Sequence, residues 1–438
     1  MKKILYLILL LPFFSLQSCV EDEKDIFDAS AAERIAAAMK EYRATLAAAE
    51  NGWLLAYYPE KNHSIGGYNM MAKFTAEGNV TLSSEVATRN YEAGDTLTSQ
   101  YDIISDMGPV LTFNTYNEIL HHFTEPNGSS DVDGMAGDYE FVFMDVKPDK
   151  IILKGKKYDN KLVMTRLEEP TDPKAYYTSI AAMEESASFG NYFFRVNGDS
   201  VSMAVLSDRV LNITYEQFDE SGDAVVQKEG LAFTFTPTGI KLYEPFVYTK
   251  DLRSNSQVKM ENFDWNEEAV TFTCTDAGVD AEFEAYLPEG YRFYRDFIGT
   301  YTMKYSGNKT TEITISEKVN KKSFTAAGGT LDYPFEFGFD LANGTITLKS
   351  QKFLAEIGSN QYMGIAMWDS NKGYVTWGDG GLIGVCTEEG GQLTINFKDN
   401  KLWPGYTVDG FIYWKFDGSG SSIGSGGGRF YEITLTKK

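Results

Sequence analysis

The chain has 438 residues, with 62 Asp and Glu against 40 Lys and Arg and a formal net charge of −22. That length is more than one hydrophobic core organises, so several domains are expected. So acidic a surface repels phosphate backbones and anionic headgroups, which argues against nucleic-acid binding and against a basic membrane-facing patch.

The N-terminus reads as an export signal. Lys2 and Lys3 precede an uncharged, mostly apolar run from Ile4 to Phe14, and Ser15-Leu16-Gln17-Ser18-Cys19 follows. Charge, short apolar core and cut site are the three parts of a secretory signal. The run is too short to span a bilayer, which takes roughly 20 apolar residues. With a cysteine where the cut falls, the stretch resembles a bacterial lipoprotein signal, although Gln17 stands where a small residue is usual. The resemblance implies that residues 1–18 are removed and that Cys19 is acylated. Residues 19–29 form an acidic tether, with Glu21, Asp22, Glu23 and Asp25 close behind the anchor. Such a leash has nothing to bury. It resembles the acidic export signal of Bacteroidetes lipoproteins, which implies an outer-membrane, outward-facing location.

A helix is expected next. Ser30-Ala31-Ala32-Glu33 has the form of a capping box. Ile35, Met39, Tyr42, Leu46 and Ala49 then recur at spacings of four and three, and Asn51-Gly52 stops the pattern. A second helix is expected from the Asp172-Pro173 cap to about Ser188. Elsewhere the texture is β. Val80 and Leu82, Ile313 and Ile315, Ile346 and Leu348, Leu393 to Phe397, and Ile433 and Leu435 alternate with polar residues. Turn signals separate them: Gly78-Asn79, Asn197-Gly198, Gly222-Asp223 and Asn343-Gly344. The expected fold is mainly β, with two or three antiparallel β-barrel or sandwich units, lipocalin-like barrels among the alternatives, and one helix before each of the first two. The expected units are 30–170, 171–295 and 296–438, the second a candidate repeat of the first. Gly108, Thr112 and Phe113 are each offset by 122 from Gly230, Thr234 and Phe235, and Ile119–Phe123 follows the first stretch as Ile240–Phe246 follows the second.

Catalytic material is thin. The only histidines are His63, His121 and His122, and in a strand the adjacent pair would face opposite ways. No zinc or triad pattern is present, so the protein is expected not to be an enzyme. Carboxylates for a hydrolase are plentiful but stand in no recognisable frame. The loop after Ser129 has the spacing of a calcium loop at Asp131, Asp133 and Glu140, which makes calcium the one candidate cofactor. Cys274 and Cys386 are expected as free thiols. Trp403-Pro404-Gly405-Tyr406 sets Trp403 and Tyr406 in a loop where flat rings can stack on a ligand. Asp417 to Gly428, almost all Gly and Ser, reads as a floppy hairpin tip. Asp95-Thr96-Leu97 and Asp199-Ser200-Val201 resemble a short Bacteroidetes O-glycosylation motif, which implies modification at Thr96 and Ser200.

Leu111 to His121, with Asn114, Tyr116, Asn117 and Glu118, and Gly137-Asp138-Tyr139-Glu140-Phe141 resemble stretches of a Bacteroidetes lipoprotein family known as domain of unknown function 4302. Gly230 to Phe246 is similar to a second stretch of that family. The resemblance implies a setting beside SusC/SusD-type outer-membrane uptake pairs and brings no catalytic residues. The functional expectation is a cell-surface lipoprotein, a non-catalytic accessory that captures a nutrient or docks on an uptake complex. The alternatives are a structural or adhesive envelope module without a small ligand, and a carboxylate-dependent hydrolase.

Overall fold

The computed structural model describes residues 29–126 and 128–438. The expected signal peptide, Cys19 and nearly all of the expected acidic tether lie outside the described residues. The chain divides into two compact units, one running up to Lys61 and resuming over Met70–Thr171, the other made of Asn62–Asn69 and Asp172–Lys438.

The first unit opens with helix α1 (Ala31–Ala47), whose Ser30 and Glu33 form the reciprocal capping box. Its apolar stripe faces the sheet: Leu46 is buried, and the Tyr42 ring lies 4.7 Å from that of Phe143. Strands β1 (Trp53–Tyr58), β2 (Tyr68–Phe74), β3 (Asn79–Ser84), β4 (Thr96–Gln100), β5 (Asp102–Ser105) and β6 (Pro109–Thr112) follow. Helix α2 (Glu118–His121) and a 3₁₀ turn (His122–Thr124) precede β7 (Glu140–Val146), β8 (Lys150–Gly155) and β9 (Lys161–Arg166). The pairing order is β4-β3-β2-β1-β9-β8-β7-β6-β5. Only Tyr101 separates β4 from β5, so the two ends of the hydrogen-bonded order are consecutive pieces of one bent stave. The sheet therefore curls through a full circle of eight staves. Alternation supplies the core, with Trp53, Leu55, Tyr57, Val80, Leu82, Leu162 and Met164 all buried.

In the second unit helix α3 (Pro173–Ser186), capped by Asp172, precedes a closed barrel. Its staves are β10 (Asn191–Val196), β11 (Asp199–Ser207), β12 (Val210–Phe218), β13 (Ala224–Phe235), β14 (Gly239–Tyr248), β15 (Val258–Asn266), β16 (Thr271–Cys274) and β17 (Ala281–Ala285). Each pairs with the next, and β17 returns to β10. Residues 62–69 belong to this unit. Gly67 N–H donates to Phe233 O at 3.0 Å, and Arg209 donates to Gly67 O at 2.9 Å. Gly66 is held so close that a Cβ there would lie 2.3 Å from Arg209 Cβ, at a φ of +68° that itself favours glycine.

A second closed barrel follows in the same unit: β18 (Gly299–Tyr305), β19 (Lys309–Val319), β20 (Ser323–Ala327), β21 (Phe335–Asp340), β22 (Thr345–Leu348), β26 (Leu382–Glu389), β27 (Gln392–Asp399) and β30 (Thr434–Lys437). The excursions between its strands build a five-stranded sheet from β23 (Gln351–Gly358), β24 (Gln361–Asp369), β25 (Tyr374–Thr376), β28 (Gly410–Asp417) and β29 (Ser422–Tyr431). Barrel and sheet share one core, in which Phe335 and Phe337 meet Met363, Ile365, Phe411 and Tyr413.

The fold is mainly β, with antiparallel barrels and one long helix before each of the first two. Two local expectations are corrected. The 417–428 stretch is a tip only over residues 418–421, with Asp417 ending β28 and residues 422–428 lying in strand β29. Glycine is used there for close approach, since a Cβ at Gly428 would lie 2.4 Å from the Tyr413 ring and one at Gly426 2.5 Å from Met363 Sδ. His121 and His122 lie in α2 and the 3₁₀ turn, where Asn117 caps the helix by accepting from Ile119 N–H, and not in a strand. The stretches that follow the aligned positions differ in structure: Ile119–Phe123 is helical, whereas Ile240–Phe246 is in β14. What the first two barrels share is a helix followed by an eight-stave meander.

Candidate functional site

An aromatic-lined hollow lies inside the second unit, between its two barrels. The segment joining them, residues 286–298, carries Tyr286, Tyr291, Phe293, Tyr294 and Phe297. Rings this dense cannot all be buried in a short linker, so they are anchored at both ends. Tyr291 OH donates to Leu341 O at 2.8 Å. Tyr294 OH reaches Ser323 O at 2.8 Å and Val319 O at 3.1 Å, and its ring stacks on Phe324 at 4.2 Å. Burial, with a smaller push from Glu317, raises the Tyr294 phenol to about 12. Burial raises Tyr291 further still, helped by Asp340 and Asp296. Both phenols are therefore neutral donors at ordinary pH.

Tyr291, Phe293 and Tyr294, with Phe189 just after α3 and Phe339 from β21, line a cavity of about 430 Å³. A second hollow of about 660 Å³ adjoins it, lined by α3, Thr238 and Trp265. Ser186, Glu267, Asn320 and Lys321 line both. The β19–β20 turn crosses here, with Lys321 Nζ 2.7 Å from Glu267 and Lys322 Nζ 3.0 Å from Glu185. Trp265 Nε1 and Glu185 Oε1 are buried without a hydrogen-bond partner. An unmade buried hydrogen bond costs about 1–3 kcal/mol, so a donor and an acceptor here stand ready for a ligand or water. Glu267 and Glu268 are exposed at the rim, and no histidine or cysteine lines the cavity. An apolar hollow between barrels with a few polar atoms has the character of a small-molecule site.

The sites expected from sequence are placed as follows. Asp131 accepts from Gly134 N–H at 3.1 Å, Asp133 from Tyr158 OH, and Glu140 pairs with Lys156 Nζ at 3.0 Å. In this structure the three carboxylates turn to three different partners. Among the described residues no three His, Cys, Asp or Glu side chains gather as a metal shell. Trp403 and Tyr406 do come together, but on each other, stacked at 4.1 Å with Lys372 Nζ 5.0 Å from the Tyr406 ring centre. Thr96 and Ser200 are exposed at the starts of β4 and β11. Cys274 is buried and Cys386 half-buried, both as free thiols, and burial pushes each up to about 11. Among the described residues no helix is long and apolar enough to cross a membrane.

The family-like stretches hold the first barrel together. Asp138 is buried and accepts from Lys157 and Tyr158 N–H at 3.0 and 2.9 Å. Its own N–H donates to Tyr57 OH at 2.6 Å, which also accepts from Asn160 Nδ2 at 3.1 Å. Asn117 donates to Ser99 Oγ at 3.0 Å, and Glu118 accepts from Thr88 and Asn90. The profile of the family described as domain of unknown function (DUF4302) matches residues 23–267, more than half of the chain. The chain belongs to this family. A second family of unknown function, DUF4987, matches residues 275–414, and no curated protein matches the chain. The DUF4302 stretches thus have structural roles, and the cavity is lined by residues from both sides of the boundary between the two matches. Its lining comes from five separate segments, which is why sequence reasoning missed it. The usable signal was the ring density of residues 286–298.

Proposed function

We propose that this DUF4302 protein is a non-catalytic, lipid-anchored accessory of the outer membrane, facing outward, that captures a nutrient molecule for a SusC/SusD-type uptake complex. The observation that carries the reading is the aromatic cavity, with the unpartnered Trp265 N–H in the hollow beside it. The lipoprotein signal ending at Cys19 and the acidic tether support the location. Capture needs affinity and release, and both follow from apolar walls that hold a ligand by area plus one or two directed hydrogen bonds.

Thermal melting of the detergent-solubilised protein against a panel of oligosaccharides, peptides and planar aromatic nutrients tests the reading. A ligand at a hundred times its Kd stabilises the folded state by about 2.7 kcal/mol. One compound class should raise the melting temperature, and Phe339→Ala should cancel most of that rise. Protease added to intact cells should digest the protein. A panel without effect, or protection on intact cells, would overturn capture or display respectively.

A further inference from the structure

The five-stranded sheet has a second aromatic surface. One face is committed to the core it shares with the barrel. On the other, Ala366, Trp368 and Ile412 form a separate cluster with Val375, Trp414 and Tyr431 packed against it. The register sets Val375, Trp368, Gly410 and Tyr431 in one row, and Gly364, Trp414 and Ser425 in another. Small residues, Gly364, Gly410 and Ser425, stand between the large rings. Trp377 and Trp414 lie 5.7 Å apart at 35°, and Trp377 is 36% exposed. Four of the six tryptophans of the chain fall between residues 368 and 414.

Charge says what such a face accepts. Arg429 is exposed in the row between, opposite Ile412, with its guanidinium 5.5 Å from the Trp368 ring centre. It has no carboxylate partner among the described residues, although acids outnumber bases 62 to 40. Two nearby acids are engaged by the backbone, Asp369 accepting from Lys372 and Thr407 N–H and Asp409 from Ser370 N–H, while Asp379 and Glu356 are exposed towards the ends of the sheet. A guanidinium fork left open on an aromatic face is matched to a carboxylate.

We propose that this face binds a glycan chain bearing carboxylates, a polyuronate. Pyranose rings offer a flat C–H face to Trp377 and Trp414 while their hydroxyls stay in water, and a uronate carboxylate takes Arg429. The surface is separate from the inter-barrel cavity, so either can fail alone.

Electrophoresis of the detergent-solubilised full chain through gels containing polygalacturonate, against gels containing neutral dextran, tests this. Polygalacturonate should retard the wild type and dextran should not. Trp377→Ala with Trp414→Ala should weaken retardation about tenfold or more, and Arg429→Gln several-fold, with salt reducing the wild-type effect. Arg429 is exposed, so Arg429→Gln keeps the fold even if the double variant does not. No retardation by polygalacturonate, equal retardation by dextran, or an Arg429→Gln chain retarded like the wild type would overturn the proposal.

Discussion

The His121 ring is half-buried at the end of α2, with Nδ1 2.9 Å from Asn117 O and 3.2 Å from Asn117 N, stacked on Tyr139 at 5.2 Å. Burial pulls its pKa below the ordinary 6.5, outweighing the Asn117 hydrogen bond and the Glu125 charge, which push the other way. A depressed histidine is neutral in the folded chain while the unfolded chain already takes up a proton. Its contribution is therefore fully present above about pH 6.5 and is lost as pH falls from there through the folded value. Melting of the wild type should drop more steeply over that window than melting of His121→Phe, which keeps the ring and removes the titration. Parallel curves would show that another group carries the slope. Much at this scale was legible: the Ser30–Glu33 box, the Asp172 cap and the free thiols all follow from local residue chemistry. The Tyr57–Asp138–Asn160 contacts were not, because they join residues far apart in sequence through hydrogen bonds that leave no periodic trace.

Among the elements, β17 decides whether the second barrel exists. It pairs with both β10 and β16, and its Phe283 is fully buried and stacks on Phe194 at 4.6 Å. The DUF4302 match stops at residue 267, before β16 and β17. A chain ending at Glu267 would leave β10 and β15 with unpaired edges, and losing a buried Phe alone costs about 3–5 kcal/mol. Such a chain should lack the cooperative transition of this barrel, followed by near-ultraviolet circular dichroism, whereas one ending at Pro288 should retain more of it. Equal transitions would mean that closure is dispensable. Alternation and turn residues announced most strands, since Val80 and Leu82 or Ile346 and Leu348 need only a half-wet sheet. Strand β29 was hidden because its glycines serve the close packing of Tyr413 and Met363, and composition alone reads them as loop.

For the molecule as a whole, acidity and β texture were readable from the chain, but the cavity was not: its walls meet only after two barrels have closed. A last consequence lies in how the barrels close. In each, the first stave pairs antiparallel with the last, Trp53 opposite Arg166, Tyr192 opposite Ala285 and Tyr301 opposite Lys437. The chain thus enters and leaves each barrel at neighbouring points. Tension applied along the chain loads those terminal hydrogen bonds one after another, like a zip, instead of all at once in shear. Single-molecule pulling should show yielding in successive low-force steps, and a single high-force rupture would contradict it. A protein tethered by one end and tugged by a polymer at the other would lengthen before it let go.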